Sequence, residues 1–252
     1  MNGVRLAHIC RHPVKSVGHE EIDRATLTEG QVLPFDRAWA VAHAAAGFEQ
    51  PQGWEPKQKF LRGAAEGQLQ AIRARFDEAT GELALSHPNQ PPFNGVMPAA
   101  SDALVEWLRP LWPASRPAPV RLVSRRDGGA LTDVPDPFIS VLSLTSLRIL
   151  GRRMGHDLSI HRFRGNLWLE GLAPWEEFDL PGREIGIGGA RLQVVERITR
   201  CQATCANPET GRIDADILEA LETGWEHADF GVYARVVTGG DIAAGDAVVL
   251  NP

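Results

Sequence analysis

Cysteine is scarce in this chain of 252 residues: there are three, at positions 10, 201 and 205. Three scattered thiols are too few for the disulfide framework of a secreted domain. They also fall short of the four thiolates that usually hold an iron–sulfur cluster, so any electrons that move through this protein must come from elsewhere. Long apolar runs are missing, and no stretch approaches the ~20 residues that a spanning helix needs. The segment Met1 to Leu6 leads straight into mixed apolar and basic residues, without the apolar core of a signal peptide. A cytoplasmic protein with no membrane span is the expectation. Positive charge is not in excess either. A formal net charge of −6 sets the molecule as a whole against nucleic acid and anionic membrane surfaces, so any anion site must be a local basic cluster. Gly186-Ile187-Gly188-Gly189 lacks the third glycine that would open a dinucleotide-binding helix. No nucleophile-elbow serine and no zinc-protease helix pattern is present, which removes support from the common hydrolase readings.

What remains is an ordinary globular composition, 43% hydrophobic and 23% charged, with ample material for a core. Val4 to Val14 and Phe35 to Val41 read as strand-rich. Leu69 to Phe76 sets Ile72, Ala74 and Phe76 on one face, and Thr80-Gly81 turns the chain into Leu83-Ala84-Leu85, which predicts a β-hairpin. Three helices are expected. Ser101 is placed to cap one that aligns Leu104, Trp107, Leu108 and Leu111, and Ser143 or Thr145 opens another that buries Leu147, Leu150 and Met154. Asp214 is placed to cap the third, with Ile217, Leu218 and Leu221 inward and Gly224 at its end. Ile185 to Ile198 and Gly231 to Leu250 read as glycine-punctuated strands of a barrel or strongly bent sheet. The fold class is therefore α+β and strand-rich. The proline-rich run Pro113 to Pro119 suggests a boundary, with a β-rich region over 1–112 and a second domain over 113–252.

Two groups of residues could carry chemistry. Cys201, in Thr199-Arg200-Cys201, joins a strand to a turn, and the neighbouring Arg197 and Arg200 favour the thiolate that binds soft metals or attacks electrophiles. On spacing alone it is as readily a small buried hydrophobe. Cys205 follows four residues later, but no histidine or carboxylate stands at metal-ligand spacing to the pair, so zinc has little support, and His156 and His161 receive no role. The second group is basic. It comprises Lys15 beside Ser16, Arg37 in Phe35-Asp36-Arg37-Ala38-Trp39, and Arg162 and Arg164 in Arg162-Phe163-Arg164-Gly165-Asn166. Lysine gives a point charge and arginine a planar fork for phosphate oxygens, with Ser16 and Asn166 available as neutral partners. Solvated surface charge fits the same pattern, because sequence alone cannot make the groups converge.

Taken together, these runs resemble the MOSC family, named for the C-terminal domain of molybdenum cofactor sulfurase, and in particular its amidoxime-reducing branch. His12-Pro13-Val14-Lys15-Ser16 and Phe35-Asp36-Arg37-Ala38-Trp39 are similar to that branch's N-terminal MOSC-associated region. Arg162-Phe163-Arg164-Gly165-Asn166 and Thr199-Arg200-Cys201, followed by Asn207-Pro208-Glu209-Thr210-Gly211, resemble the MOSC domain proper. The resemblance implies a MOSC-type β-barrel and a molybdenum cofactor, with Cys201 as the metal ligand and catalytic residue. It places Lys15, Ser16, Arg37, Arg164 and Asn166 around the molybdopterin and its phosphate, Thr199 and Arg200 beside the metal ligand, and Ser143 and Arg162 in the same pocket. Gly165 stands where relatives often carry proline, and Cys205 where they carry a small or β-branched residue. No ferredoxin extension is expected after Gly245 to Leu250. The implied activity is reduction of a small N-hydroxylated substrate, an amidoxime or hydroxylamine, with electrons from a separate ferredoxin-, flavoprotein- or cytochrome-type donor. A rival reading uses the same thiol differently: a carrier that holds sulfur on Cys201 as a persulfide, or delivers the cofactor without turnover.

Overall fold

The apolar positions near the N-terminus give the strand Arg5–Arg11, which buries Leu6 and Ile9, in a computed structural model that describes residues 3–251. This strand pairs antiparallel with Leu167–Glu170 on one side and with Glu20–Ile22 on the other, so residues far apart in the chain enter one sheet at the outset. Leu167–Glu170 runs parallel to Ile139–Ser143, and a parallel pair needs a crossover. Helix α2 (Leu144–Met154), in the intervening chain, provides it. The sheet continues antiparallel through Asp229–Thr238, Ala190–Thr199, Glu184–Ile187 and Val248–Leu250, making eight strands. Its last strand comes back towards its beginning. Leu6 N–H donates to Asp246 O at 2.9 Å, Val248 N–H donates to Val4 O at 2.8 Å, and one isolated bridge joins Arg5 to Ala247. The sheet is thus strongly curled around Ile139, Val141, Leu167, Leu192, Val194 and Val232, and it stops short of a closed barrel ladder.

The expected hairpin forms from Arg73–Phe76 and Glu82–His87, and Gln90–Val96 adds a third strand. Helix α1 (Ser101–Leu108) covers it, with Leu104 and Leu108 against Leu83, Leu85 and Phe93. Two strand pairs cross the proline-rich connector: Ala40–His43 with Pro119–Val123, and Arg24–Leu27 with Gly240–Ala243. The regions on either side of it are therefore tied by backbone hydrogen bonds.

The caps differ from expectation in two helices. Ser101 is the first residue of α1 rather than its cap, and its hydroxyl donates to the Pro98 carbonyl. In helix α3 (Ile217–Trp225) the cap is Asp216, whose carboxylate accepts from Glu219 N–H at 3.1 Å. Gly224 stays inside that helix and Glu226 takes the left-handed position after it, φ 63°. Ser143 does cap α2, accepting from Ser146 N–H at 3.2 Å. Among the described residues no helix is long and apolar enough to cross a membrane.

Candidate functional site

The loop after the first strand turns back over Val14 to Val17, where Val17 N–H donates to Val14 O at 3.0 Å. It is laced to the Phe35 to Trp39 loop by main-chain bonds: Arg37 N–H to His12 O at 2.7 Å, Lys15 N–H to Trp39 O at 2.7 Å and Trp39 N–H to Pro13 O at 3.1 Å. Side chains reinforce the lacing, because Asp36 accepts from His12 N–H at 2.8 Å and pairs with Arg37. Burial, followed by the charges of Arg164 and Arg37, pushes His12 down to about 3, so its ring is neutral at physiological pH. Asp36 is buried as well. Burial alone would raise its carboxyl, but Arg37 and His12 outweigh that and hold it below the usual carboxylate range.

Ser16, Arg37 and Arg164 all adopt left-handed backbone, at φ 62°, 53° and 47°. Residues with a Cβ enter that region at a cost and stay only where the surroundings over-determine them. Here the three side chains line one cavity of about 480 Å³. The cavity also receives Lys15, Arg162, Asn166, Thr199, Arg200 and Cys201. Of the residues expected from the sequence, only Ser143 lies elsewhere: its side chain is fully buried as the cap of α2.

The residues of the cavity divide into those already engaged and those still free. Asn166 is engaged throughout, accepting from Ser140 N–H and Oγ and donating Nδ2 to Cys10 O at 3.2 Å. Arg162 donates to the carbonyls of Thr204 and Cys205 and, at 2.6 Å, to Asp214. Asp214 is thus withdrawn from helix capping to pin the turn that follows Cys201. Arg200 donates to the carbonyls of Phe163 and Phe230, so it braces the cavity wall. Burial pushes it down to about 10, with nearby Tyr233 and Cys201 acting in the opposite direction. Lys15 reaches Leu131 O at 2.8 Å and the Asp133 carboxylate. Burial still draws it below the ordinary lysine range, against the pull of Asp133.

Two guanidinium groups keep a buried nitrogen unpartnered: Arg162 at Nε, and Arg164. Arg164 Nη1 donates to Gly18 O at 2.9 Å, but its Nη2 is buried without a hydrogen-bond partner. Burial, then the like charge of Arg37, pushes Arg164 down to about 9. It remains a cation at neutral pH, held in an environment that disfavours the charge. A buried, unpartnered guanidinium nitrogen among further cations is a site that an anion completes. This chemistry fits a phosphate-bearing cofactor.

Cys201 lines the same cavity. The strand Ala190–Thr199 delivers it in extended conformation to the short turn Gln202–Cys205. Thr199 donates to Asp229 at 2.6 Å, fixing the strand end. The Cys201 thiol is exposed, whereas Cys205 faces the core beside Leu142, Phe163 and Phe230. The exposed thiol is therefore available to a soft metal and the buried one is packing. At Gly165 a Cβ would come 2.2 Å from Leu142 Cδ1, so a larger residue there needs the Leu142 side chain to shift.

Sequence reasoning missed Lys57, Arg62, Asp133, Phe138, Ser140, Glu196 and Tyr233, which also line the cavity. None of them sits in a chemically distinctive run. The one available signal is that Tyr233 is the chain's single tyrosine.

Residues 129–249 match the model of the MOSC domain, and residues 3–109 match that of the MOSC N-terminal beta barrel domain. The chain is 31% identical over 103 residues to a molybdenum cofactor sulfurase of Caenorhabditis briggsae, which covers 39% of this chain and 14% of that one. It is 31% identical over 124 residues to mitochondrial amidoxime reducing component 2 of Bos taurus, covering 44% of this chain and 36% of the relative. It thus spans well under half the length of these curated relatives. Among solved structures it is similar to the YuaD protein of Bacillus subtilis, with a TM-score of 0.46 and 12% identity over 98% of this chain and 94% of the other. It is also similar to YiiM of Geobacillus stearothermophilus, with a TM-score of 0.36 and 25% identity over 44% and 53%. With a MOSC N-terminal beta barrel domain followed by a MOSC domain, this chain belongs to the MOSC family.

Proposed function

We propose that this protein binds a molybdenum cofactor and reduces N-hydroxylated compounds with electrons delivered by a separate ferredoxin-, flavoprotein- or cytochrome-type donor. One observation carries the reading: a half-buried arginine with a buried, unpartnered guanidinium nitrogen, Arg164, and an exposed thiol, Cys201, share a single cavity. A dithiolene-bound metal needs a soft protein ligand and its phosphate tail needs fixed cations. Cys201 is the metal ligand in this reading. Arg164 takes the phosphate, and Lys15, Arg37 and the Ser16 hydroxyl complete the anchor. When bound, the group supplies two-electron chemistry between Mo(VI) and Mo(IV), by which an amidoxime, two electrons and two protons give an amidine and water.

The chain's own residues do the binding and positioning. Arg200 and Arg162 hold the cysteine turn through the carbonyls they bond, so the thiol keeps a fixed bearing on the cavity. Asn166 locks the strand Leu167–Glu170 against Ile139–Ser143 at the cavity floor. Phe138, stacked on Tyr233 at 5.4 Å, supplies an apolar wall for the organic part of a substrate. The names of the two curated relatives support both the cofactor and the substrate class.

The test is metal and pterin analysis of protein purified from a molybdate-fed host, followed by assay with benzamidoxime and a reduced viologen dye. Wild type should carry molybdenum and reduce benzamidoxime with the dye but not with NADH alone, and Cys201→Ala should lose turnover. Equal activity in wild type and Cys201→Ala would remove the claim. Molybdenum-replete wild type that reduces no N-oxygenated compound would favour the carrier reading.

A further inference from the structure

The cavity holds more positive charge than a phosphate anchor uses. Lys15, Arg37 and Arg162 each have a carboxylate, on Asp133, Asp36 and Asp214 in turn, and Arg200 is engaged with main-chain carbonyls. Arg62 lines the same cavity with no such engagement: among the described residues its guanidinium meets no acceptor. It is half-buried, and its guanidinium nitrogens stay open to solvent in the cavity, where a ligand can reach them.

The position of Arg62 is fixed by the chain around it. Its carbonyl accepts from Ala65 N–H at 3.0 Å and Glu66 N–H at 3.2 Å. The following residue, Gly63, is pressed between Gln70 and Ala203, where a Cβ would meet them at 3.3 Å and 3.5 Å. Gln70 in turn donates to Ala203 O at 2.9 Å. Ala203 belongs to the short turn that Cys201 opens, so Arg62 is carried on a loop clamped directly to the turn bearing the exposed thiol. An arginine fork with free donors on a clamped loop is suited to a planar, bidentate oxyanion.

We propose that Arg62 forms an oxyanion subsite that selects substrates carrying a carboxylate or phosphate group. This rests on the reductase reading only for the reacting half of such a molecule, since the subsite is a property of the chain and binds with or without turnover. Lys57, on the same stretch and lining the same cavity, adds long-range attraction. Glu196, which also lines the cavity, pairs with Tyr233 across the sheet.

The experiment measures binding by calorimetry to cofactor-loaded protein, using benzamidoxime, 4-carboxybenzamidoxime and its 4-phosphono analogue. The wild type should bind at least one oxyanion-bearing probe about ten- to a hundredfold more tightly than benzamidoxime, as a charge-assisted pair allows. Preference between the two anionic probes identifies the source of the oxyanion. Arg62→Ala should abolish the preference and leave benzamidoxime affinity unchanged, and Arg62→Lys should restore part of it. Molybdenum and pterin content should equal wild type in both variants. Equal affinity for all three probes in wild type would overturn the proposal. So would loss of cofactor from Arg62→Ala, which would make Arg62 a cofactor anchor instead. Tight binding of an anionic probe without viologen-dependent turnover would leave the subsite standing and overturn the reductase reading.

Discussion

Replacing Arg164 with glutamine separates cofactor binding from folding, because the two respond to this residue in opposite ways. In the absence of an anion Arg164 is a half-buried cation pushed down to about 9. A folded-state pKa below the ordinary 12.5 means that the fold disfavours the charged form, and that cost is fully present at pH 7. Removing the charge relieves it. The same substitution removes the donor to Gly18 O, a charge-assisted bond contributing about 1.5–3 kcal/mol. The two effects have opposite sign, and relief of the disfavoured charge is the larger. Cofactor-free Arg164→Gln should therefore be at least as stable as cofactor-free wild type. Cofactor retention should nonetheless fall. The lost phosphate contact, about 1.5–3 kcal/mol, corresponds to roughly a ten- to hundredfold weaker complex. The assay is pterin and molybdenum content after dialysis at limiting cofactor, with thermal unfolding of the cofactor-free proteins alongside. Full retention in Arg164→Gln would refute the anchor assignment, and a large fall in the Tm of the cofactor-free variant would refute the opposition of the two terms.

Cys205→Ser should retain molybdenum while Cys201→Ser loses it, as read by metal analysis, because only the Cys201 thiol is exposed to the cavity. Asp214→Asn leaves the buried Arg162 without its carboxylate and loosens the turn that Arg162 pins. It should lower stability by about 1–3 kcal/mol in denaturant unfolding, whereas a capping role alone would be largely conserved in asparagine. Glu177 is fully buried beside Ser146, which donates to it at 2.8 Å, and burial raises its carboxyl to about 7. A carboxyl raised in the fold favours the protonated state, so its contribution to stability falls as pH rises from about 4.5 to 7. Glu177→Gln should therefore gain on wild type across that window, by on the order of 3 kcal/mol at pH 8. Parallel stability profiles for the two proteins would exclude it.

Much of the site was readable from local pattern. The strand-to-turn setting of Cys201, the β-hairpin at Thr80-Gly81 and the cap at Ser143 depend on residues within a few positions of one another, and short-range propensities encode such features. The order of four separated runs also carried the family. What the sequence by itself could not determine is which polar groups each side chain meets. Lys15 finds its partner carbonyl 116 residues away and Arg164 finds its own 146 residues away. Those distant contacts decide that Arg200, Arg162 and Asn166 brace the cavity while one nitrogen of Arg164 is left for an anion. They draw Asp214 from a helix end into an ion pair, leaving the cap to Asp216. They bring in Arg62 and Tyr233, whose sequence surroundings give no sign of chemistry. The left-handed backbone of Arg37 and Arg164 belongs with these, because Arg37 N–H donates to His12 O, Arg37 O accepts from Leu131 N–H, and Arg164 O accepts from the Arg37 side chain.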